Sequence, residues 1–128
     1  MVAWADYKAE AKSRGALALE LYVALSTPAK APEDVKAALG DHLAYQAKLE
    51  RDGALAFAGP MSDESGEQMQ GMGMMIYRAE SLDAARALAE ADPMHARGAR
   101  SYTLRRWMIN EGSFTLSVGL STNGISLA

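Results

Sequence analysis

The chain contains no cysteine. Disulfides, thiolate nucleophiles and cysteine-based metal sites are thereby excluded. Histidine is nearly as scarce, with two in 128 residues, so any imidazole chemistry rests on His42 or His95. No apolar run approaches the roughly 20 residues that cross a bilayer. The N-terminus mixes acids and bases where a secretory signal carries an apolar stretch. Positive charge is not in surplus either. The net charge is -3 and the pI about 5.3, whereas nucleic-acid binders show a basic face. These absences predict a cytoplasmic protein with neither a membrane nor a nucleic-acid partner.

What is present suits one soluble domain spanning residues 1–128. The composition is 49% hydrophobic and 23% charged, a balance that supports a core and gives no sign of disorder. Val2–Ser13 has helical periodicity through Trp4, Tyr7 and Ala11, and Gly15 stops it. Trp4 there reads as packing. Ala16–Ser26 alternates as a strand. Its Leu17, Leu19, Leu21, Val23 and Leu25 face is expected to meet helices, and its Ala18, Glu20, Tyr22 and Ala24 face either to meet solvent or to line a dimer interface.

Pro32, Glu33 and Asp34 then open a second helix. Val35, Leu39, His42, Leu43, Gln46 and Leu49 fall on one face, expected to be buried, and Gly53 ends the helix. Ala54–Ala58 predicts a short strand broken by Gly59-Pro60. A polar loop follows, from Met61 to Gln70. Asp63, Glu64 and Glu67 lie in it without a calcium-loop pattern. Gly71–Ala79 predicts a strand apolar on both faces, with Met72, Met74 and Ile76 opposite Met75 and Tyr77. Ser81 caps a third helix that ends near Asp92, before Pro93. Met94–Arg100 reads as a loop and Ser101–Asn110 as a strand. Phe114–Leu120 reads as a further strand, with a turn at Asn123-Gly124 and a fraying end.

The order reduces to βαββαβ, an α+β ferredoxin-like arrangement. Its core spans about 16–110, with an N-terminal helix at 2–14 and a C-terminal strand at 113–120 as extensions. Two crossover helices cover one sheet face. The other is too apolar for water, which predicts a homodimer formed sheet to sheet.

His42 reads either as a hydrogen-bonded core histidine or as a proton carrier, since imidazole titrates near neutrality. Asp92 sits at the negative end of a helix dipole. That position suits either an Asp-Pro turn or a pairing with His42, Arg97 or Arg100. His95 reads either as a surface loop histidine or as part of a site. Arg100 and Arg106 are candidates for holding an anion. Met74, in the methionine strand, belongs to an adaptable ligand wall or to the core. Tyr45 completes the candidate ligand contacts. No compact ligand motif such as HxxxH is present, so no metal is expected, and Gly-rich cofactor fingerprints are missing. No cofactor is expected either.

The segments DHLAYQAKLERDGALAFAGPMSD and AESLDAARALAEADPMHARGARSYTLRRW, set in the βαββαβ order, resemble the YCII-related (YciI-like) domain family over about Ala16–Asn110. The resemblance implies a dimeric α+β barrel with a small pocket between helices and sheet. It also implies a His–Asp active pair at His42 and Asp92. Where the family has a suggested reaction, it is dehydrochlorination of a hydroxylated aromatic. The chain departs from the family pattern after Asp-Pro, where Met94-His95 stands in place of an aromatic. These readings converge on a cofactor-free lyase or isomerase acting on a small aromatic or anionic ligand. The alternative is a non-catalytic binding or interaction module.

Overall fold

The computed structural model describes residues 1–127. The elements in chain order are α1 (Trp4–Ser13), β1 (Leu19–Pro28), α2 (Pro32–Arg51), β2 (Leu55–Ser62) and β3 (Met69–Tyr77). They continue as α3 (Leu82–Ala91), α4 (Pro93–Ala96), β4 (Arg100–Ile109), β5 (Leu116–Val118) and β6 (Ile125–Leu127). The first four strands form an antiparallel sheet in the order β2-β3-β1-β4. This is the strand order of a βαββαβ split motif. Two compact units partition the chain. One is Glu20–Trp107; the other comprises Met1–Leu19 and the stretch from Met108 onward.

In the larger unit the core is built from Tyr22 and Ala24 of β1, Met75 and Tyr77 of β3, Leu49 of α2, and Ala85 and Ala89 of α3. Ala85 and Ala89 are fully buried, and side chains this small let α3 approach the sheet closely. Ser81 caps α3 by accepting a hydrogen bond from Ala84 N at 3.0 Å. Leu49 is buried, and removing a leucine side chain from water stabilises the fold by about 1.5–3 kcal/mol.

The leucine face of β1 does not meet the helices. Tyr22, Ala24 and Ser26 do, so the expected assignment of faces is reversed. Alternation fixes which residues share a face, but not which face the helices take. Here the alanines of α3 match Ala24 and the flat rings of Tyr22 and Tyr77.

The face of α2 is also rotated from expectation. Its buried residues are Ala38 and Leu49, and with His42 and Tyr45 they make a 38/42/45/49 stripe. Leu39 and Leu43 remain 44% and 53% exposed.

Gly59-Pro60 does not end β2, which runs on to Ser62 with register shifts on either side. The strand lies at the sheet edge, where proline's missing N–H need not cost a ladder bond. In the turn before β3, Asp63 accepts hydrogen bonds from Ser65 Oγ at 2.6 Å and Gly66 N at 3.1 Å. Its carboxylate thus serves the turn.

The smaller unit packs Ala11, Ala18 and Met108 with Trp4 and Ala16, so Trp4 is a packing residue. Up to Leu127 the C-terminal stretch pairs with itself, and the last residue, where fraying was expected, lies outside the described residues. β5 and β6 form a hairpin with Leu116 opposite Leu127 and Val118 opposite Ile125, and Asn123 holds a positive φ of 59° in the turn.

Candidate active site

Asp92 lies where α3 gives way to α4. Its extended backbone (φ -62°, ψ 125°) closes α3 and opens α4, and its Oδ1 accepts from Met94 N at 2.9 Å. The segment after Pro93 is therefore a one-turn helix, not a loop. Proline pre-sets the first-turn geometry, and the aspartate satisfies an orphan N–H. Asp92 is only 1% exposed, a costly place for a carboxylate without partners. The main partner comes from α2: His42 Nδ1 stands 2.8 Å from Oδ1 and 2.8 Å from Oδ2. An ionised carboxylate only accepts, so Nδ1 carries the proton and Nε2 is the free ring nitrogen.

His42 lies on the wall of a cavity of about 330 Å³, at the small end of the range for ligand sites. From α2 the wall takes Leu39, Leu43 and Gln46; from the sheet side it takes Ser26, Gly71, Gly73 and Arg100. Met69, Met72, Met75 and Met94 supply much of the apolar surface. Leu39 and Leu43, left exposed by the helix face, thus shape the cavity. Among the described residues, no acidic side chain lines it.

Arg100 reaches the cavity from the start of β4. Its Nε donates to Ser26 Oγ at 2.9 Å and its Nη2 to the carbonyls of Ser26, at 2.7 Å, and Gly71. Burial pulls the guanidinium pKa down, and the Asp92 charge acts the other way. Gly71 holds φ +92°, and a Cβ there would meet Pro28 Cγ at 2.9 Å. Only glycine brings that carbonyl to Arg100.

His95 is buried in α4, not exposed on a loop. Its Nδ1 is 2.8 Å from Ala89 O and its Nε2 is 2.9 Å from Ser26 Oγ. It stands behind Ser26, outside the cavity lining. Tyr45 is likewise engaged, donating to Leu88 O at 2.7 Å and so tying α2 to α3. Burial raises its pKa, and the Asp92 charge adds to that.

Met74 and Arg106 are not brought to His42. With Val23, Leu25, Thr103, Arg105 and Trp107 they line a second hollow of about 240 Å³ on the outer sheet face. Arg97 pairs with Asp41 at the surface. No cluster of three or more metal-ligating side chains occurs among the described residues.

Ser26 and Gln46 were not singled out as site residues from the sequence. Ser26 lies near the end of an apolar strand, and its role depends on partners 69 and 74 positions away. Gln46 does carry a local signal, a polar residue one turn beyond His42 on the same face.

A family model described as YCII-related domain matches residues 20–108, nearly the bounds of the larger unit. Among solved structures, a similar one is the 5-chloro-2-hydroxyhydroquinone dehydrochlorinase (TftG) of Burkholderia phenoliruptrix AC1100, in complex with 2,5-dihydroxybenzoquinone. It is 22% identical over 68% of this chain and 92% of that one, with a TM-score of 0.49. No curated protein matches the chain.

Proposed function

The chain belongs to the YCII-related domain family, and we propose that its cavity is the active site of a cofactor-free lyase or isomerase acting on a small aromatic or anionic compound. His42 is the proton carrier. Its Nε2 takes a proton from the substrate, and Asp92 holds Nδ1–H and offsets the imidazolium charge, the logic of a base with an orienter. In an elimination, the electron pair of the broken bond to hydrogen forms the new double bond, and the leaving group departs with its own pair. In an isomerisation, His42 returns the proton to a different atom. Neither course consumes an oxidant or reductant.

The observation that carries this reading is the pair of 2.8 Å contacts between His42 Nδ1 and the Asp92 carboxylate, with His42 on the cavity wall. The test is a panel of chlorinated hydroxyaromatics and small carboxylates, followed for halide release and for exchange of substrate protons in deuterated water. Turnover in the wild type that disappears in His42→Ala is expected. Turnover that persists in this variant sinks the proposal.

A second reading is favoured by the methionine wall of Met69, Met72, Met75 and Met94, because thioether side chains adapt to varied ligands. On it the cavity binds without reacting. Ligand binding that survives His42→Ala, with no turnover of any compound, is its signature.

The functional unit is a homodimer on either reading. The outer face of the sheet presents Val23, Leu25, Met74 and Trp107 together. Trp107 is 44% exposed, and apolar faces of this kind mark contacts between chains.

A further inference from the structure

Arg100 holds five N–H donors, and the fold uses three. Nε goes to Ser26 Oγ, and Nη2 goes to the carbonyls of Ser26 and Gly71. Among the described residues, Nη1 has no hydrogen-bond partner and no carboxylate forms an ion pair with this guanidinium. The charge of Asp92 reaches it only from farther away.

The orientation of the guanidinium is fixed by a chain of single-role contacts. A carbonyl can only accept, so His95 Nδ1 carries the proton that meets Ala89 O at 2.8 Å. In the neutral ring Nε2 is then an acceptor, and it takes the Ser26 hydroxyl proton at 2.9 Å. The lone pairs of Ser26 are left for Arg100 Nε. Ser26 and His95 are both buried, so the arrangement is held in place and Arg100 is not a mobile surface cation.

Gln46 supplies the second observation. Its Oε1 is buried without a hydrogen-bond partner, and the residue lines the same cavity. An acceptor buried and left empty is costly. A ligand that brings a donor relieves it once the Gln46 side chain, which lines the cavity, turns Oε1 toward the ligand.

We propose that the cavity selects an organic oxyanion bearing a hydroxyl or N–H donor, with the oxyanion on Arg100 Nη1 and the donor on Gln46 Oε1. The cavity, about 330 Å³, has room for a single-ring ligand of this kind. A carboxylate or a phenolate supplies the same chemistry. The proposal rests on the reading of the cavity as the substrate site and names which substrates it takes. Arg100 and Gln46 touch the ligand; Ser26 and His95 are positioning residues that act through Arg100.

Calorimetric titration of the full chain with four probes tests it. The probes are 4-hydroxybenzoate, 4-nitrocatechol as its phenolate, benzoate, which lacks the donor, and neutral 4-hydroxybenzamide. We expect 4-hydroxybenzoate or 4-nitrocatechol to bind, the two telling carboxylate from phenolate. The neutral amide should bind at least about tenfold more weakly, and benzoate more weakly than 4-hydroxybenzoate. Arg100→Met should remove the preference for the anion, and Gln46→Leu the preference for the hydroxyl.

The proposal is overturned if the amide binds as well as the anions, if no probe binds, or if Arg100→Met leaves anion binding unchanged. Should Arg100→Met fail to fold, the wild-type contrast between 4-hydroxybenzoate and its amide still decides. His42→Asn separates the two readings, because it leaves Arg100 and Gln46 in place. Anion binding retained in that variant supports the clamp whatever happens to turnover. Loss of anion selectivity in Arg100→Met alone bears on the clamp and not on proton transfer.

Discussion

His42 Nδ1 stands equidistant, at 2.8 Å, from the two carboxylate oxygens of Asp92, fifty positions along the chain. The same carboxylate also caps α4 through Met94 N. One buried charge therefore fixes a helix start and an imidazole tautomer at once. The cap sets where the carboxylate lies, and the carboxylate sets which ring nitrogen carries the proton.

Asp92→Asn separates these two duties. The asparagine oxygen can still accept from Met94 N. Its amide nitrogen then faces His42 Nδ1, and because two donors meeting there repel, the ring is expected to shift its proton to Nε2. Nitrogen-15 NMR of the imidazole should report Nδ1–H in the wild type and Nε2–H in the variant. Any turnover that depends on His42 as a base should fall by about 10³-fold or more, the scale of a wrong-tautomer defect. An unchanged tautomer would show that Asp92 does not set the ring.

Tyr77 offers a prediction in the alkaline range. Its hydroxyl is buried without a hydrogen-bond partner. Burial, and then the charge of Asp92, raise its pKa well above the ordinary 10.0. A phenol with a raised folded pKa holds its proton more tightly in the folded state. The stability tied to that is complete below about pH 10 and is lost as pH rises through the folded value. Tyr77→Phe removes both the orphan hydroxyl and this titration. Urea unfolding should show a gain of about 1 kcal/mol at neutral pH and a shallower loss above about pH 10. A variant less stable than the wild type at neutral pH would mean that the hydroxyl has a partner.

Much of this architecture was legible in the sequence because it is written locally. Ser81, Pro32, Pro93 and the alternation of β1 and β3 each act within a few residues, and they led to the βαββαβ order, though not to α4 or β6. The errors came where a choice is made between elements. Alternation in β1 could not say that Tyr22 and Ala24, and not the leucines, face α3. Periodicity in α2 admitted two neighbouring stripes, and close packing selected Ala38 and Leu49 over Leu39 and Leu43. Asp92 was conspicuous because a carboxylate at a helix C-terminus is unfavourable. Ser26 gave no such signal. Its buried partners, His95 and Arg100, are remote in sequence, and nothing in LYVALSTP distinguishes a structural hydroxyl from a surface one.

The cap of α3 makes a small, separable test of the fold. Ser81 Oγ accepts from Ala84 N at 3.0 Å at the start of the helix that carries Ala85 and Ala89 into the core. Ser81→Ala should cost about 1 kcal/mol in chemical denaturation, and Ser81→Asp should retain most of the stability. Equal stability of all three chains would show that the helix start does not depend on this contact.

The outer sheet face carries the last prediction. Trp107 stands beside Val23, Leu25 and Met74 around the second hollow, and it is 44% exposed. An indole left half in water next to three apolar side chains is favourable ground for burial against a second chain. Aromatic residues of this kind dominate interface energetics. Sedimentation velocity should therefore find the wild type as a dimer at micromolar concentration. Trp107→Asp places a charge in that contact, and burying it unpaired is costly, so the variant should sediment as a monomer. Because Trp107 is not a core residue, the variant should keep its helical circular dichroism and its anion binding at the His42 cavity. A wild type that remains monomeric across the micromolar range refutes the dimer, and leaves Trp107 to a different role on that face.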